Sequence, residues 1–197
     1  DEAQAIVKKI NVPKELGKLS LANDQYNGPS GRTLDEKILV PLELERSDVW
    51  LCDLVPHSCV NRRQESAIKR AEYLDKAEKY NLPKCSVPSV STMKVGDARR
   101  EEILTEIKES QATTLILLGD KPIEWFLHHY CDHWKRLADF GEEKEKYGMR
   151  HTVTLAGKDI ELLPLTHPRQ IAKLGQSSQK WYELHQNWLT NKRKPSR

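Results

Sequence analysis

The run Thr113-Thr114-Leu115-Ile116-Leu117-Leu118-Gly119 constrains the fold more than any other part of this chain. It is the clearest strand in the sequence, with the apolar run Leu115–Leu118 at its centre. Asp120 follows, with Pro122 two residues later, which reads as a helix cap and a proline near the helix start. The helix that opens there buries Ile123, Phe126, Leu127, Tyr130 and Trp134. A strand running straight into a helix is the repeating unit of α/β domains.

The rest of the pattern extends that reading. Val49-Trp50-Leu51-Cys52-Asp53-Leu54-Val55, ended by Pro56, has the composition of a strand buried on both faces, with Asp53 its one charged residue. Thr152–Leu155 and Ile160–Leu165 read as strands joined by a hairpin turn at Ala156-Gly157-Lys158-Asp159. Helical spacing recurs from Asp1 to about Leu16 with a stop at Pro13, and over Thr33–Leu44 with an end or kink at Pro41. It recurs again over Arg62–Tyr80, Ala98–Ile107 and Ser178–Leu189, the last with Trp181, Leu184 and Trp188 inward. Residues 23–31, 83–89 and 141–146 read as loops. The expected fold is α/β, a three-layer α/β/α sandwich with a mostly parallel central sheet, as one domain over residues 1–190 with a basic tail at 191–197.

Composition excludes other classes. A chain of 197 residues with 38% hydrophobic and 31% charged residues can bury one core, which sets aside disordered and collagen-like readings. No stretch approaches the roughly 18 consecutive apolar residues of a spanning helix, and Asp1-Glu2-Ala3-Gln4 lacks the order of a signal peptide. A soluble, cytoplasmic monomer with no membrane partner is therefore expected. Cys52, Cys59, Cys85 and Cys131 form no CxxC pair, so neither a disulfide scaffold nor a cysteine metal site is expected. The net charge of +3 neither demands nor excludes nucleic acid.

Several motifs are absent. Neither GxGxxG nor GxxxxGK[ST] occurs, so no dinucleotide or nucleotide cradle of the usual kind is present. Gly28-Pro29-Ser30-Gly31-Arg32 lacks the GxSxG spacing of a nucleophile elbow. His129 and His133 stand four apart with Asp132 beside them, a pattern open to a metal site or to the polar outer face of a helix. With no further His or Cys pair at ligand spacing, no metal and no cofactor are expected. The sharper feature is Leu163-Pro164-Leu165-Thr166-His167-Pro168-Arg169-Gln170, in which a strand delivers an imidazole to the crevice where α/β sheets bind ligands.

Taken in order, Tyr26 to Leu34, Arg46 to Val55, Leu115 to Asp120 and Thr166-His167-Pro168 resemble the uracil-DNA glycosylase superfamily. The likeness is greatest to the branch with a Phe-Val-Gly-Arg-Ala-Gly-like loop, a Val-Tyr-Ile-Thr-Asn strand, a Leu-Gly strand end and a Tyr-His-Pro turn, and it spans about Tyr26 to Leu189. The resemblance implies a monofunctional DNA glycosylase that flips a base and hydrolyses its N-glycosidic bond. It implies that Tyr26 stacks on the flipped base and that Gly28, Ser30, Gly31 and Arg32 lie against DNA phosphates. It implies that His167 donates to the base as negative charge develops on the leaving group. Arg169, Gln170 and Lys173 fall in the region that enters the duplex or contacts phosphate.

Two departures qualify the resemblance. The family's earlier strand, whose polar residue positions the attacking water, has no counterpart here: it lies outside this sequence, or another segment replaces it, or the protein binds without cleaving. Asp53 stands where the family has an Asn that reads the base edge. A carboxylate only accepts, which suits the exocyclic amine of a cytosine derivative better than uracil; a strand-end carboxylate capping a neighbouring helix is the alternative. His57 takes the place of a cluster cysteine, so no iron–sulfur cluster is expected. The tail, with four cations in residues 191–197, adds DNA affinity or is a frayed end. Two other readings stay open: a base-recognising DNA-binding module without catalysis, and a hydrolase of free nucleosides or nucleotides.

Overall fold

The structure, a computed structural model, describes residues 2–10, 12–18, 28–56, 59–60, 62–82, 96–174 and 178–192. In chain order the helices and strands are α1 (Glu2–Lys9), α2 (Pro29–Leu34), α3 (Arg62–Ile68), α4 (Ala71–Lys79), α5 (Asp97–Glu109), β1 (Thr114–Leu118), α6 (Asp120–Pro122), α7 (His128–Tyr130), β2 (His151–Leu155), β3 (Lys158–Leu165), α8 (Pro168–Ile171) and α9 (Gln179–Lys192). They fall into two compact units, one of Asp1–Asn27 with His57–Lys94, the other of Gly28–Pro56 with Val95–Arg197. The first unit holds α1, a short turn at Lys14–Leu16, and α3 packed on α4. The helical stretch expected over Arg62–Tyr80 is broken at Lys69-Arg70, where Arg70 is extended ahead of α4.

The second unit is α/β and carries the sheet. β3 lies in the middle, parallel to β1 and antiparallel to β2. The β2–β3 connection is tighter than the four residues expected. Ala156 and Gly157 alone form it, both at positive φ (51° and 77°), the pairing that matches the twist of a two-residue hairpin. Ile160, Leu162, Leu163, Pro164 and Leu165 are all buried, so the carboxyl half of β3 is covered on both faces. Pro164 is tolerated there because Glu161 N–H donates to Thr113 O and Leu165 O accepts from Gly119 N–H. Odd-numbered residues of β3 thus face β1, and Pro164 faces the other side, beyond the last β2 pair at His151–Leu162.

The same alternation leaves the backbone groups of Thr114, Ile116 and Leu118 facing away from β3. Beside β1 lies a cavity of about 600 Å³, lined by β1, the end of α5, the 39–52 segment, and Ile160 and Leu163 of β3. The core gathers Ile38, Ile103, Ile123, Phe126, Leu127, Leu184 and Trp188 with buried residues of all three strands.

Three local expectations are corrected. Val49–Val55 forms no strand: Trp50 and Leu51 are more than half exposed, and α5 side chains hold the segment. Arg99 donates through Nη2 to the carbonyl of Asp53 at 2.6 Å, and Trp50 Nε1 donates to Glu106 Oε2 at 3.2 Å. Of the loop expected over 23–31, residues 23–27 lie outside the described residues and 29–31 are helical; Gly28 is the N-cap of α2 and Pro29 its first residue, where a fixed φ and a missing N–H cost nothing. Asp120 does not cap its own helix, whose N-cap is Gly119. Its Oδ1 instead accepts from Leu137 N–H at 2.8 Å, tying the helix start to the chain beyond it.

Helical backbone continues past α2 as a π-turn over Asp35–Leu39 and a 3-10 turn over Val40–Leu42, then stops at Glu43 in the left-handed region. Pro41 accounts for the change. It has no N–H for the carbonyl of Lys37, so that acceptor loses its α-helical donor. A second π-turn, Ile123–Leu127, separates α6 from α7, and the helix ends at Tyr130. His129 and His133 therefore do not share a helical face. No group of three metal-ligating side chains is present among the described residues, and no helix among them is long and apolar enough to cross a membrane. Cys52, Cys59 and Cys131 are free thiols.

Candidate functional site

Parallel pairing brings the carboxyl ends of β1 and β3 side by side, and the next residues define the site. Gly119 leaves β1 at φ 85°, ψ −171°, a conformation essentially confined to glycine. Its N–H donates to Leu165 O at 2.8 Å, and a Cβ added to it would meet Cβ of His167 at 3.0 Å. The two strand exits are thus in direct contact, and His167 stands over Gly119.

The local sequence fixes the His167 imidazole. Thr166 is fully buried, His167 is the N-cap of α8, and Pro168 takes the first helical position. Nδ1 of His167 accepts from Arg169 N–H at 3.0 Å. An acceptor Nδ1 carries no proton, so the neutral ring holds its hydrogen on Nε2, which has no hydrogen-bond partner among the described residues. Partial burial, then the Arg169 charge, lower its pKa below the ordinary histidine value, which favours that neutral form. Thr166 Oγ1 donates to Gln170 Oε1 at 2.8 Å, and Gln170 N–H donates to His167 O at 2.8 Å, closing the turn.

The flanking residues come from α2 and α8, which pack on each other. Ile171 is buried and anchors α8, while Arg169 and Lys173 are exposed. The Lys173 ammonium stands 3.9 Å above the Tyr182 ring. Gly28 and Arg32 are exposed, Ser30 and Gly31 half-buried. A Cβ at Gly28 would meet nothing within 4 Å, so the fold itself does not require glycine there. The carbonyl of Gly31 accepts from Arg46, whose guanidinium also pairs with Asp35.

Of the residues singled out from sequence, His167, Arg169, Gln170 and Lys173 share one turn, and Gly28, Ser30, Gly31 and Arg32 lie on the helix packed against it. Asp53 is exposed on the segment held by α5. It therefore does not end a strand, and what its carbonyl receives is Arg99. Tyr26, His57, Cys85 and residues 193–197 lie outside the described residues. The 600 Å³ cavity beside β1 has Cys52 in its wall and neither Asp53 nor His167.

Sequence reasoning missed a buried polar chain behind the site. Tyr147 Oη lies 2.8 Å from His185 Nδ1 and 2.9 Å from the backbone N of Thr166, and His185 Nε2 lies 2.9 Å from the carbonyl of Lys37. A carbonyl only accepts, so His185 carries its hydrogen on Nε2, its Nδ1 accepts from the Tyr147 hydroxyl, and Tyr147 Oη accepts from Thr166 N–H. Burial pushes the Tyr147 phenol up and the His185 imidazole down to about 4, so both are neutral. One signal was available: Trp181, Leu184, His185 and Trp188 form an i, i+3, i+4, i+7 stripe, and a histidine within such a stripe needs partners. Compared with models of protein families, with curated proteins and with solved structures, the chain finds no match.

Proposed function

We propose that this protein is a monofunctional DNA glycosylase whose His167 stabilises the departing base. The observation that carries the reading is the tautomer of His167: a neutral imidazole with a fixed Nε2–H, presented where two parallel strands end. In hydrolysis water attacks C1′ of the flipped nucleotide, the C1′–N bond breaks with its electron pair leaving on the base, and the proton the water gives up is taken, through solvent, by the departed base anion, leaving a C1′ hydroxyl and a neutral base. A fixed neutral donor stabilises that developing anion without having to lose a proton. Arg32, Arg169 and Lys173 supply cations for phosphates on either side, and the exposed Gly28 lets DNA backbone approach closely. Tyr26 stacking on the base and Asp53 accepting from the exocyclic amine of a modified cytosine complete the reading. A further strand against the open edge of β1 would complete the three-layer, mostly parallel arrangement that the reading requires.

One observation favours a second reading, a base-recognising DNA-binding module that does not cleave: Asp53 is exposed on a segment tied to α5. A panel of labelled oligonucleotides with uracil, a thymine mismatch, hypoxanthine, cytosine and modified cytosines separates the two. Abasic-site formation that falls about 100- to 1000-fold in His167→Ala is the result expected of the glycosylase. Tight, salt-sensitive binding with no abasic product from any member would leave the module. Equal or faster release of uracil than of cytosine derivatives would remove the role given to Asp53.

A further inference from the structure

We infer that Tyr147 and His185 are positioning residues for His167, holding the backbone from which the imidazole is presented; the inference rests on the reading of His167 as the donor to the leaving base. Thr166 is where β3 leaves its ladder. The last β1–β3 pair is Leu118–Leu165, and β2 ends opposite Leu162. By the alternation along β3, Thr166 N–H points to the side on which β2 has already finished, so no strand carbonyl awaits it. Tyr147 Oη takes that place at 2.9 Å. The hydroxyl therefore fixes the Leu165–Thr166 peptide, one residue before His167, and the side chain of the same threonine bonds Gln170 across the turn.

Each member of the chain is held from behind. Gly148, next to Tyr147, has φ 72°, and a Cβ there would come within 2.5 Å of the Trp188 indole. Only glycine lets this turn seat against α9, and seating it sets where Tyr147 enters the core. His185 packs tilted against Trp188, with ring centroids 5.1 Å apart, and meets Tyr147 edge-on at 5.9 Å. Its Nε2–H bonds the Lys37 carbonyl that Pro41 leaves without a helical donor. Every hydrogen in the series has one position: Thr166 N–H to Tyr147 Oη, Tyr147 O–H to His185 Nδ1, His185 Nε2–H to Lys37 O. A chain with one satisfied arrangement transmits the place of α9 and the 37–41 backbone to the strand exit beneath His167. Positioning of this kind acts on rate, because a displacement of about 1 Å at a reacting group costs on the order of 100-fold.

The test reads His167 itself. Two-bond nitrogen–proton spectra of ¹⁵N-histidine protein report which ring nitrogen of His167 carries hydrogen, alongside abasic-site formation and DNA affinity. Wild type is expected to show the Nε2–H form. Tyr147→Phe is expected to shift the His167 ring signals and slow base release about 10- to 100-fold with DNA affinity little changed. His185→Gln, whose amide both donates and accepts, is expected to retain more activity and a more wild-type His167 signal than His185→Phe. Unchanged His167 signals in folded Tyr147→Phe overturn the inference. Should Tyr147→Phe fail to fold, the His185 pair decides, and identical His167 signals in Gln and Phe overturn it. If wild type releases no base from any oligonucleotide while Tyr147→Phe still moves the His167 signals, the positioning stands and the glycosylase reading falls.

Discussion

Gly119 shows how much of the site rests on single residues. Its φ of 85° with ψ near 180° strains any side chain on backbone grounds, and the 3.0 Å approach to Cβ of His167 would require that residue to give way by a few tenths of an ångström. Gly119→Ala is expected to lower stability by about 1–3 kcal/mol in urea unfolding and to push His167 off its cap, so that base release falls further than the stability loss explains. His185 makes a second residue-scale prediction. Burial, offset in part by the Lys37 carbonyl, lowers its pKa from 6.5 to about 4. Below the unfolded value the denatured chain takes up a proton that the native imidazole refuses. The contribution is thus complete above about pH 6.5 and is lost as pH falls towards 4, by on the order of 3 kcal/mol. His167 and His151, both lowered by burial, add loss in the same direction. Unfolding midpoints followed from about pH 8 to about pH 4 should therefore fall less steeply in His185→Gln than in wild type; parallel curves would show that His185 is not held neutral.

At the scale of elements, the 49–55 segment separates what pattern predicts from what partners decide. Its composition is that of a covered strand, yet Arg99 of α5 takes the Asp53 carbonyl that a ladder would have used, Glu106 takes the Trp50 indole N–H, and no strand forms. Arg99 also pairs with Glu106 at 2.6 Å and Glu102 at 3.1 Å, so its guanidinium is shared between helix and segment. Arg99→Ala should free the segment at a cost of about 1–3 kcal/mol, seen as faster amide exchange at residues 50–54 with β1 unchanged. Protection that stays as in wild type would mean the segment is held by Leu54 packing instead. The elements that sequence foretold, β1, α5, the β2–β3 hairpin and α9, have periodicity or turn chemistry that needs no distant partner. So does the Thr166-His167-Pro168 turn, since a cap followed by proline is a local arrangement. What was illegible depends on tertiary contact. Asp120 reads as a cap and serves Leu137, and residues 28–31 read as a loop because Gly, Pro and Ser suit a helix start as well as a turn. Tyr147, His185 and Lys37 are scattered through the sequence and meet only once α9 has docked.

For the molecule as a whole, the question is whether cations near His167 act as a surface for DNA or only as solvating charge. The net charge of +3 is too small to decide it, and position along β3 gives an internal control. Lys158 begins the strand that delivers His167, exposed like Arg169 but about 20 Å or more away at the extended rise of a strand. If Arg169 neutralises a phosphate, binding of a short duplex should weaken with salt along a log–log slope that becomes shallower by about 1 in Arg169→Ala. Arg32→Ala should remove a similar amount, and the double variant should lose both contributions, because each cation releases its own counterions. Lys158→Ala should leave the slope as it is. These four outcomes, measured by anisotropy of a labelled oligonucleotide, do not depend on catalysis. They therefore test the α2–α8 face as a nucleic-acid surface even where no base is released. Equal slopes in wild type, Arg169→Ala and Arg32→Ala would remove the α2–α8 face as a nucleic-acid surface, and with it the support that these cations lend to the proposed role of His167.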